Sequence, residues 1–209
     1  TPIRPQASEL VAAQRAEIEK RILAARASGR TLLTEVESKH LLAAYGILTA
    51  ESHEAKSESA AIRLAQTIGF PVVLKLLSNT ISHKSDVGGV KLHLGDVAAV
   101  RRAYREIKKS VSEKVGREHF LGVAVQPMII DDGYELIIGS SLDPQFGPVL
   151  LFGLGGRMVE ALGDQALGLP PLTTTLARRM IEQTRVYKAL LGMRGQAPVD
   201  IAALEQLLV

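Results

Sequence analysis

The sequence predicts a mixed α/β fold, and two observations indicate it. Short apolar runs typical of strands alternate with longer segments in which apolar residues recur at helical spacing. In the second half of the chain, three apolar runs are separated by turn-forming segments, which predicts a mainly antiparallel sheet. With 209 residues, the chain is long enough for one large domain or two small lobes around a sizeable core.

Composition argues against several classes of function. The absence of cysteine excludes a disulfide framework, a thiolate metal site and a cysteine nucleophile, and it is compatible with the reducing cytoplasm. A net charge of +3 and an aromatic content of 4% give little support to a base-stacking surface. No apolar run approaches the roughly 20 residues of a membrane span. We therefore expect a cytoplasmic protein with no nucleic-acid partner and no membrane partner.

The N-terminal part predicts helices followed by α/β alternation. Residues 8–26 predict a helix, which we interpret as a connector from a preceding domain. Thr34 and Glu37 have the capping-box spacing, and they predict the start of a second helix that ends at Gly46. The following segments alternate in type: a strand over 47–52, a helix over 57–68 and a strand over 70–77.

The remaining segments continue this pattern. A polar stretch over 78–89 ends in two glycines and predicts a mobile loop between two strands. The elements expected after it are a strand over 90–94, a helix over 97–115, strands over 121–130, 134–141 and 148–154, a short strand around Val159, and helices over 174–191 and from Asp200.

The loop is the first candidate for chemistry. Gly88 and Gly89 would let the backbone approach a ligand, and His83 and Lys84 add an imidazole and a cation. Backbone amides and lysines in this arrangement suit phosphate. The alternative is a hairpin whose glycines serve only the turn.

Lys75 is the second candidate, because it interrupts an apolar strand just before the loop. A lysine there is costly unless its ammonium group emerges into a polar site. This predicts a functional lysine, with a side chain that reaches solvent at a sheet edge as the alternative.

A second glycine cluster follows a buried-type strand at residues 152–156, but neither a P-loop nor a dinucleotide-binding motif occurs in the sequence. Glu135 and Glu160 could each bind a metal or a ribose, or face water from an edge strand. The remaining histidines lack partners at ligand spacing and are interpreted as structural: His40, His53, His93 and His119.

Several separated motifs occur in one order along the chain. They are Glu37-Ser38-Lys39, the strand ending at Lys75, residues 82–90, Gln126-Pro127-Met128, Glu135, residues 143–148 and residues 152–156. This order closely resembles the ATP-grasp domain of NDP-forming acyl-CoA synthetases and, more weakly, the succinyl-CoA synthetase β subunit.

The resemblance implies an ATP-grasp fold of two lobes, each with a β-sheet flanked by helices. Residues 1–30 would be the connector and residues 31–209 the ATP-grasp domain. The lid lobe would span about 47–123. The larger lobe would combine 31–46 with 124–209, truncated at its C-terminal end.

The resemblance also implies roles for single residues in binding ATP or ADP. Lys75 would hold the α- and β-phosphates, and Glu135 would lie near the ribose and phosphates. Lys84, Gly88 and Gly89 would belong to the phosphate loop, and Gly155 and Gly156 would close the phosphate pocket. Gln126, Pro127 and Met128 would form the hinge against adenine, with their backbone reading the base edge.

His83 would be the catalytic residue that the resemblance implies. It would carry phosphate between the nucleotide and a phosphohistidine of a CoA-binding partner, with Asp86 or Asp131 fixing its tautomer. The alternative is a histidine that only contacts phosphate.

The implied activity is that of an acid–CoA ligase, which converts an acid, CoA and ATP to acyl-CoA, ADP and phosphate. CoA-binding and CoA-ligase domains of the same protein or of an α subunit would be the partners, and a homo-oligomer is possible. The family takes most Mg²⁺ ligands from strands beyond this C-terminus, which leaves Glu160 as the expected metal ligand. The alternative function is a regulatory domain fused to a GNAT protein lysine acetyltransferase.

Overall fold

The computed structural model describes residues 5–130, 133–156, 163–193 and 197–209. These residues form two compact units, the first ending at Ile130 and the second following it. The helices and strands are α1 (Pro5–Ala27), α2 (Glu35–Ala44), β1 (His53–Ala55), α3 (Glu58–Ile68), β2 (Val72–Leu77), β3 (Val90–Leu94), α4 (Val97–Lys114), a 3₁₀ turn (Arg117–His119), β4 (Gly122–Pro127), β5 (Leu136–Asp143), β6 (Gly147–Leu154), β7 (Gln165–Gly168), α5 (Thr174–Glu182), α6 (Tyr187–Leu190) and α7 (Ile201–Leu208).

The first unit is built around a four-stranded antiparallel sheet in the order β1-β4-β2-β3. Helices α3 and α4 pack on the sheet through an apolar face, as the helical spacing predicts. Leu74, Val100 and Ile107 are fully buried in this core. The first unit therefore offers β2 as a rigid central strand, from which a side chain can be held in a fixed position.

Helix α2 begins as predicted, with a complete capping box. The Glu37 amide donates to Thr34 Oγ1 at 3.2 Å, and the Thr34 amide donates to Glu37 Oε2 at 2.7 Å. Arg30 also donates to both carboxylate oxygens of Glu37, at 2.9 and 3.0 Å. These bonds fix the first turn of α2, where the residue after the cap is Glu35.

The prediction of a strand over 47–52 was wrong. These residues run without strand pairing, and β1 begins only at His53, opposite Val125 of β4. The apolar residues of the predicted strand do not all face a core, since Leu48 is 99% exposed. An apolar run without a burying partner does not form a strand of the sheet.

The second unit contains a three-stranded antiparallel sheet in the order β5-β6-β7. Phe152 of β6 is fully buried, and it packs in a cluster with Met180 and Ile181 of α5. Strand β7 was not predicted, because only one of its four residues, Leu167, has a large apolar side chain. The strand predicted around Val159 lies outside the described residues.

The single helix predicted over 174–191 is interrupted after Glu182. The Asp164 carboxylate accepts hydrogen bonds from the amides of Arg185 and Val186, at 2.6 and 2.7 Å. Thr184 is buried and donates its hydroxyl to the Ile181 carbonyl. These contacts satisfy backbone groups at the break between α5 and α6, which local helical spacing could not reveal.

The prediction of a mixed α/β fold is confirmed. Among the described residues, no helix combines the length and the apolar character needed to cross a bilayer.

Candidate functional site

Lys75 lies on a central strand of the first unit. Strand β2 pairs with β4 on one side and with β3 on the other, so the alternative of a lysine at a sheet edge was wrong. Every other residue of β2 is buried, while Lys75 is only partly buried. Its ammonium group donates to Glu35 Oε1 at 2.8 Å, which places it in the polar site that the sequence predicts.

Glu35 is the centre of this site, and it accepts hydrogen bonds from three segments distant in sequence. Its Oε1 accepts from Lys75 and from the Gln126 side-chain amide, at 2.8 and 2.6 Å, and its Oε2 accepts from Lys84 at 2.8 Å. Lys39, one turn later on α2, lies 3.3 Å from Oε1. We call Lys39, Lys75 and Lys84 the lysine cluster.

The electrostatics of the site favour full charge on Glu35. Burial of the carboxyl group opposes its ionisation, but the hydrogen bonds that it accepts outweigh burial and hold the pKa of Glu35 well below its ordinary value. The pKa of Lys39 is lowered, mainly by burial; the two neighbouring ammonium groups add to the decrease, and Glu35 opposes it. The single negative charge of Glu35 therefore offsets only part of the positive charge of the three ammonium groups around it.

The lysine cluster has the charge to bind a phosphate group. Three ammonium groups share one carboxylate, which leaves an excess of two positive charges. A cavity of about 290 Å³ opens beside Glu35 and Lys84, and Ser38, Ser78 and Ser82 line it among other residues. Each ammonium group has three N–H donors, so donors remain after the bond to Glu35. The ammonium group of Lys84 and the serine hydroxyl groups along this cavity suit an anion rich in oxygen.

The glycines of the loop face protein in this conformation. A Cβ on Gly88 would lie 2.8 Å from Ser110 Oγ, and one on Gly89 would lie 2.8 Å from Leu76 Cβ. The amides of Gly88 and Gly89 donate to carbonyl oxygens within the loop, at 2.9 and 2.7 Å. This geometry favours the alternative in which the glycines serve the turn, and their contact with phosphate stays a prediction.

The second half of the loop is fastened to α4. Ser110 donates its hydroxyl to the Val87 carbonyl at 2.8 Å, and Lys114 donates to the Asp86 carbonyl at 2.9 Å. The Val87 side chain is buried. Any large movement of the loop therefore pivots before Asp86, in the part that carries His83.

His83 lies on this first half, and its side chain is exposed. Within the described ranges its ring makes no hydrogen bond, so the prediction that Asp86 orients the ring finds no support in this conformation. The other predicted partner, Asp131, lies outside the described residues. The position suits a side chain that must meet a group brought from elsewhere, and the carrier role stays a prediction.

The hinge predicted to read adenine comes at the end of β4. Gln126 pairs with Val73 in the sheet, and the Met128 amide donates to the Pro71 carbonyl at 2.9 Å. A base edge read at this hinge would therefore use a backbone group other than that amide. Pro127 has no amide hydrogen to offer. The Gln126 side chain is committed to Glu35 and to Ser52 Oγ, at 2.6 and 3.1 Å.

The predicted residues of the second unit also come together. The Gly155 amide donates to the Glu135 carbonyl at 2.6 Å. Gly156 has φ of +72°, which favours glycine, and a Cβ there would meet the Glu135 carboxylate, which would have to move aside. Their contact with a nucleotide stays a prediction.

Metal ligands are not grouped in the described part of the chain. There, no three His, Asp or Glu side chains lie close enough together to hold an ion. Glu160, the expected metal ligand, lies outside the described residues. The residues at hand therefore do not fit a metal held by the protein alone.

Glu35 and Lys39 are the site residues that the sequence analysis missed. The capping box drew attention to Glu37, whose carboxylate serves the helix start. The available signal was the spacing of Glu35 and Lys39, an acidic and a basic residue four positions apart at a helix N-terminus. That spacing indicates an ion pair, but it does not indicate which other groups join it.

The chain is thus a mixed α/β protein with two antiparallel sheets, and its first unit carries three lysines around one carboxylate. Residues 24–209 match the ATP-grasp domain family. The β subunit of ADP-forming acetate–CoA ligase I from Pyrococcus furiosus is 40% identical over 199 residues, which cover 95% of this chain and 83% of that protein. The chain belongs to the ATP-grasp family, in the branch of these ADP-forming ligase β subunits.

Two further proteins are similar to this chain in sequence. ADP-forming acetate–CoA ligase I of Archaeoglobus fulgidus is 42% identical over 173 residues, and the chain spans only a quarter of its length. The structure of the dinucleotide-forming acetyl-coenzyme A synthetase 1 of Ca. Korarchaeum cryptofilum with coenzyme A and Ca-AMPCP is 44% identical and has a TM-score of 0.84, covering 90% of this chain and 82% of that one. The same synthetase was solved with coenzyme A and Mg-AMPPCP, with its phosphohistidine segment pointing towards the nucleotide-binding site.

Proposed function

We propose that the chain is the nucleotide-binding part of an ADP-forming acid–CoA ligase. The enzyme would convert an acid, CoA and ATP to acyl-CoA, ADP and phosphate. The observation that carries the proposal is the lysine cluster, in which Lys75 of a central strand and Lys84 of the loop meet at Glu35, with Glu35 and Lys84 lining a cavity. The relatives are ligases, so the acetyltransferase-linked alternative has no observation in its favour.

In this proposal the nucleotide phosphates bind to the lysine cluster. Lys75 and Lys84 each donate to phosphate oxygens with the N–H groups that Glu35 leaves free. A charge-assisted bond of this kind contributes about 1.5–3 kcal/mol. Nucleotide binding by Glu135, Gly155 and Gly156 is part of the same proposal. We treat Mg²⁺ as part of the nucleotide substrate, as in the Mg-AMPPCP complex of the Korarchaeum synthetase.

His83 would then carry the phosphate. A lone pair on the neutral imidazole attacks the γ-phosphorus; an N–P bond forms, and the bond between phosphorus and the ADP oxygen breaks, with its electron pair leaving on ADP. The carrier would pass the phosphoryl group to a histidine of the partner. That histidine would transfer it to the carboxylate of the acid, which forms the acyl phosphate. A relay suits two remote sites, because direct transfer requires reacting atoms about 3–3.5 Å apart. The exposed position of His83 on the loop supports this role.

The partner in this proposal is a CoA-binding and CoA-ligase part, present in the same protein or as an α subunit. The P. furiosus relative is itself a β subunit, which supports a second component. We expect the assembly in the cytoplasm, since a chain without cysteine has no need of an oxidising compartment.

One experiment on the assembled enzyme tests the proposal, with two measurements on three variants. ATP affinity is measured by calorimetry, and acyl phosphate formation is measured at saturating ATP and Mg²⁺. Lys75→Ala should weaken ATP binding by about 1.5–3 kcal/mol. His83→Ala should keep the affinity and lose acyl phosphate formation, since a carrier acts after binding. Lys109→Ala, an exposed lysine of α4, is the matched control and should change neither.

Two results would contradict this proposal. Equal ATP affinity of Lys75→Ala and the wild type would make Lys75 a structural residue. A rate of acyl phosphate formation in His83→Ala within about tenfold of the wild type, roughly 1.4 kcal/mol of barrier, would leave His83 as a residue that only contacts phosphate.

A further inference from the structure

The Glu35 carboxylate has one lysine on each oxygen. Lys75 donates to Oε1 and Lys84 to Oε2, both at 2.8 Å. The first comes from the middle of β2 and the second from the loop that follows it, 40 and 49 residues from Glu35. A single carboxylate therefore determines the separation of two cations that belong to different segments.

We propose that Glu35 is a positioning residue for nucleotide phosphates: it holds the ammonium groups of Lys75 and Lys84 side by side, ready to donate to one polyphosphate. This inference rests on the proposed function and adds a residue to its site. Glu35 acts through the lysines and has no contact with the nucleotide in this role. It stays in place when the nucleotide binds, because each ammonium group keeps two N–H donors for phosphate oxygens.

The positioning has an entropic and an electrostatic part. A free lysine side chain samples many rotamers, and binding would otherwise have to restrict this freedom in both lysines. The two ammonium groups, which both bond to Glu35, also repel each other, and the carboxylate between them offsets the repulsion. The site is thereby ordered before the nucleotide arrives.

Glu35 is itself held in place from two directions. The capping box of Thr34 and Glu37 fixes the turn that carries it, and Arg30 fastens Glu37. The buried Gln126 side chain donates to Oε1 at 2.6 Å and gives the carboxylate a fixed partner from β4. A residue supported in this way can determine where flexible lysines lie.

The charge of Glu35 also affects the protonation of the cluster. The titratable groups that face Glu35 are Lys39 from its own helix, Lys75 from β2 and Lys84 from the loop. The other groups that bond within the site, Gln126 of β4 and Ser52, are neutral. Without the carboxylate, three half-buried ammonium groups would repel each other with no facing counter-charge among the described groups. At least one of them would then lose its proton at a lower pH.

The test compares Glu35→Gln with Glu113→Gln, which replaces an exposed carboxylate of α4. A glutamine at position 35 offers one oxygen, so one lysine loses its acceptor and meets an N–H donor instead. Glu113 pairs with Lys109 and is not among the groups that contact Glu35. ATP affinity of the assembled enzyme is measured by calorimetry from pH 7 to pH 10, and thermal unfolding verifies that each variant is folded.

Glu35→Gln should weaken ATP binding by about tenfold or more at pH 7.5, the loss expected for one charge-assisted bond. Its affinity should also decline at a lower pH than that of the wild type, which a merely structural residue would not cause. Glu113→Gln should keep both the affinity and the pH profile. Glu35→Asp keeps the charge but is one methylene shorter, so it should lose affinity. Its affinity should decline at the same alkaline pH as that of the wild type.

Lys75→Ala, measured in the same series, distinguishes a failure of the proposed function from a failure of the positioning role of Glu35. If Lys75→Ala binds ATP as the wild type does, the proposed function of the cluster fails. If Lys75→Ala is weak and Glu35→Gln has wild-type affinity and pH profile, only the positioning role fails. Tighter ATP binding by Glu35→Gln would also overturn it, because Glu35 would then be a competitor of the phosphates. If Glu35→Gln is unfolded, Glu35→Asp carries the test, and wild-type affinity in that variant overturns the proposal.

Discussion

In the first unit, a charged site is held by side chains from four segments, whereas in the second unit the Glu135 carboxylate is held beside two glycines of a neighbouring strand end. Glu35 bonds to residues 40, 49 and 91 positions away. Glu135 meets Gly155 through a backbone bond and Gly156 through close approach. The comparison shows two surroundings for a carboxylate: hydrogen bonds from several side chains fix the position of Glu35, whereas a neighbouring glycine leaves room for Glu135.

The two units also differ in their cores. In the first, helices α3 and α4 bury most of the sheet, and β2 and β4 are almost wholly buried. In the second, β5 has an exposed or half-buried residue at every position, and the core depends on fewer large side chains. Single large side chains should therefore matter more to the second unit.

The largest expected effect is that of Phe152→Ala, which empties the centre of the second core. Phe152 is fully buried, and such truncations cost about 3–5 kcal/mol. Phe146, in the hairpin before the same strand, is 65% exposed and is the matched control. Phe146→Ala should change stability by less than about 0.5 kcal/mol. Urea unfolding of both variants measures the difference, and equal losses would mean that Phe152 is not the centre of this core.

The second expected effect concerns Gly156, and it tests how Glu135 is held. Gly156 and Gly147 both have positive φ, at +72° and +76°, so alanine at either position should cost about 1–2 kcal/mol. Only at Gly156 would the new Cβ meet a side chain, since space beside Gly147 is open to 4 Å. The carboxylate of Glu135 is the flexible end of its side chain, and it should move aside.

ATP affinity separates these two variants. Gly156→Ala should weaken nucleotide binding relative to Gly147→Ala at similar stability, because only Gly156→Ala displaces Glu135. Equal affinities, measured by calorimetry on the assembled enzyme, would remove Glu135 from the nucleotide site. The comparison between the units would then rest on Glu35 alone.

The sequence predicted what local patterns determine. The capping box of Thr34 and Glu37 is confirmed, and the apolar stripe of α4 packs on the sheet. Lys75 was singled out because a lysine in an apolar strand requires a polar partner, and the structure provides that partner. These predictions depend on residues close together in the chain or on the cost of burying one charge.

What the sequence did not predict depends on distant partners. Glu35 became visible only when the fold brought Lys84 and Gln126 to it. The break between α5 and α6 is stabilised by Asp164, about twenty residues earlier in the chain. Residues 47–52 have strand-like composition, but no neighbouring strand pairs with them. Each difference arises from a contact, or a missing contact, that periodicity cannot encode.

The smallest expected effect is that of Glu37 on the pH dependence of the stability. The hydrogen bond from Arg30 has the largest influence on the pKa of Glu37, and it lowers that pKa. Burial raises the pKa, and the bond from the Thr34 amide lowers it. The result is a pKa of about 2 instead of 4.5. A lowered pKa in the folded state stabilises the fold above pH 4.5, and this stabilisation is lost as the pH falls towards 2. Because Glu37 is partly exposed, we expect about 1 kcal/mol or less at pH 7.

Glu37→Gln should therefore be less stable than the wild type at pH 7, and the difference should shrink at pH 3 and vanish near pH 2. Glu35 is present in both proteins, so its own titration cancels in the comparison. Glu113→Gln, which removes an exposed carboxylate of α4, is the control and should follow the wild type at every pH. Urea unfolding at pH 7, 3 and 2 measures these differences. A difference between Glu37→Gln and the wild type that stays constant from pH 7 to pH 2 would show that Glu37 supports α2 through its shape and hydrogen-bonding geometry, and not through its charge.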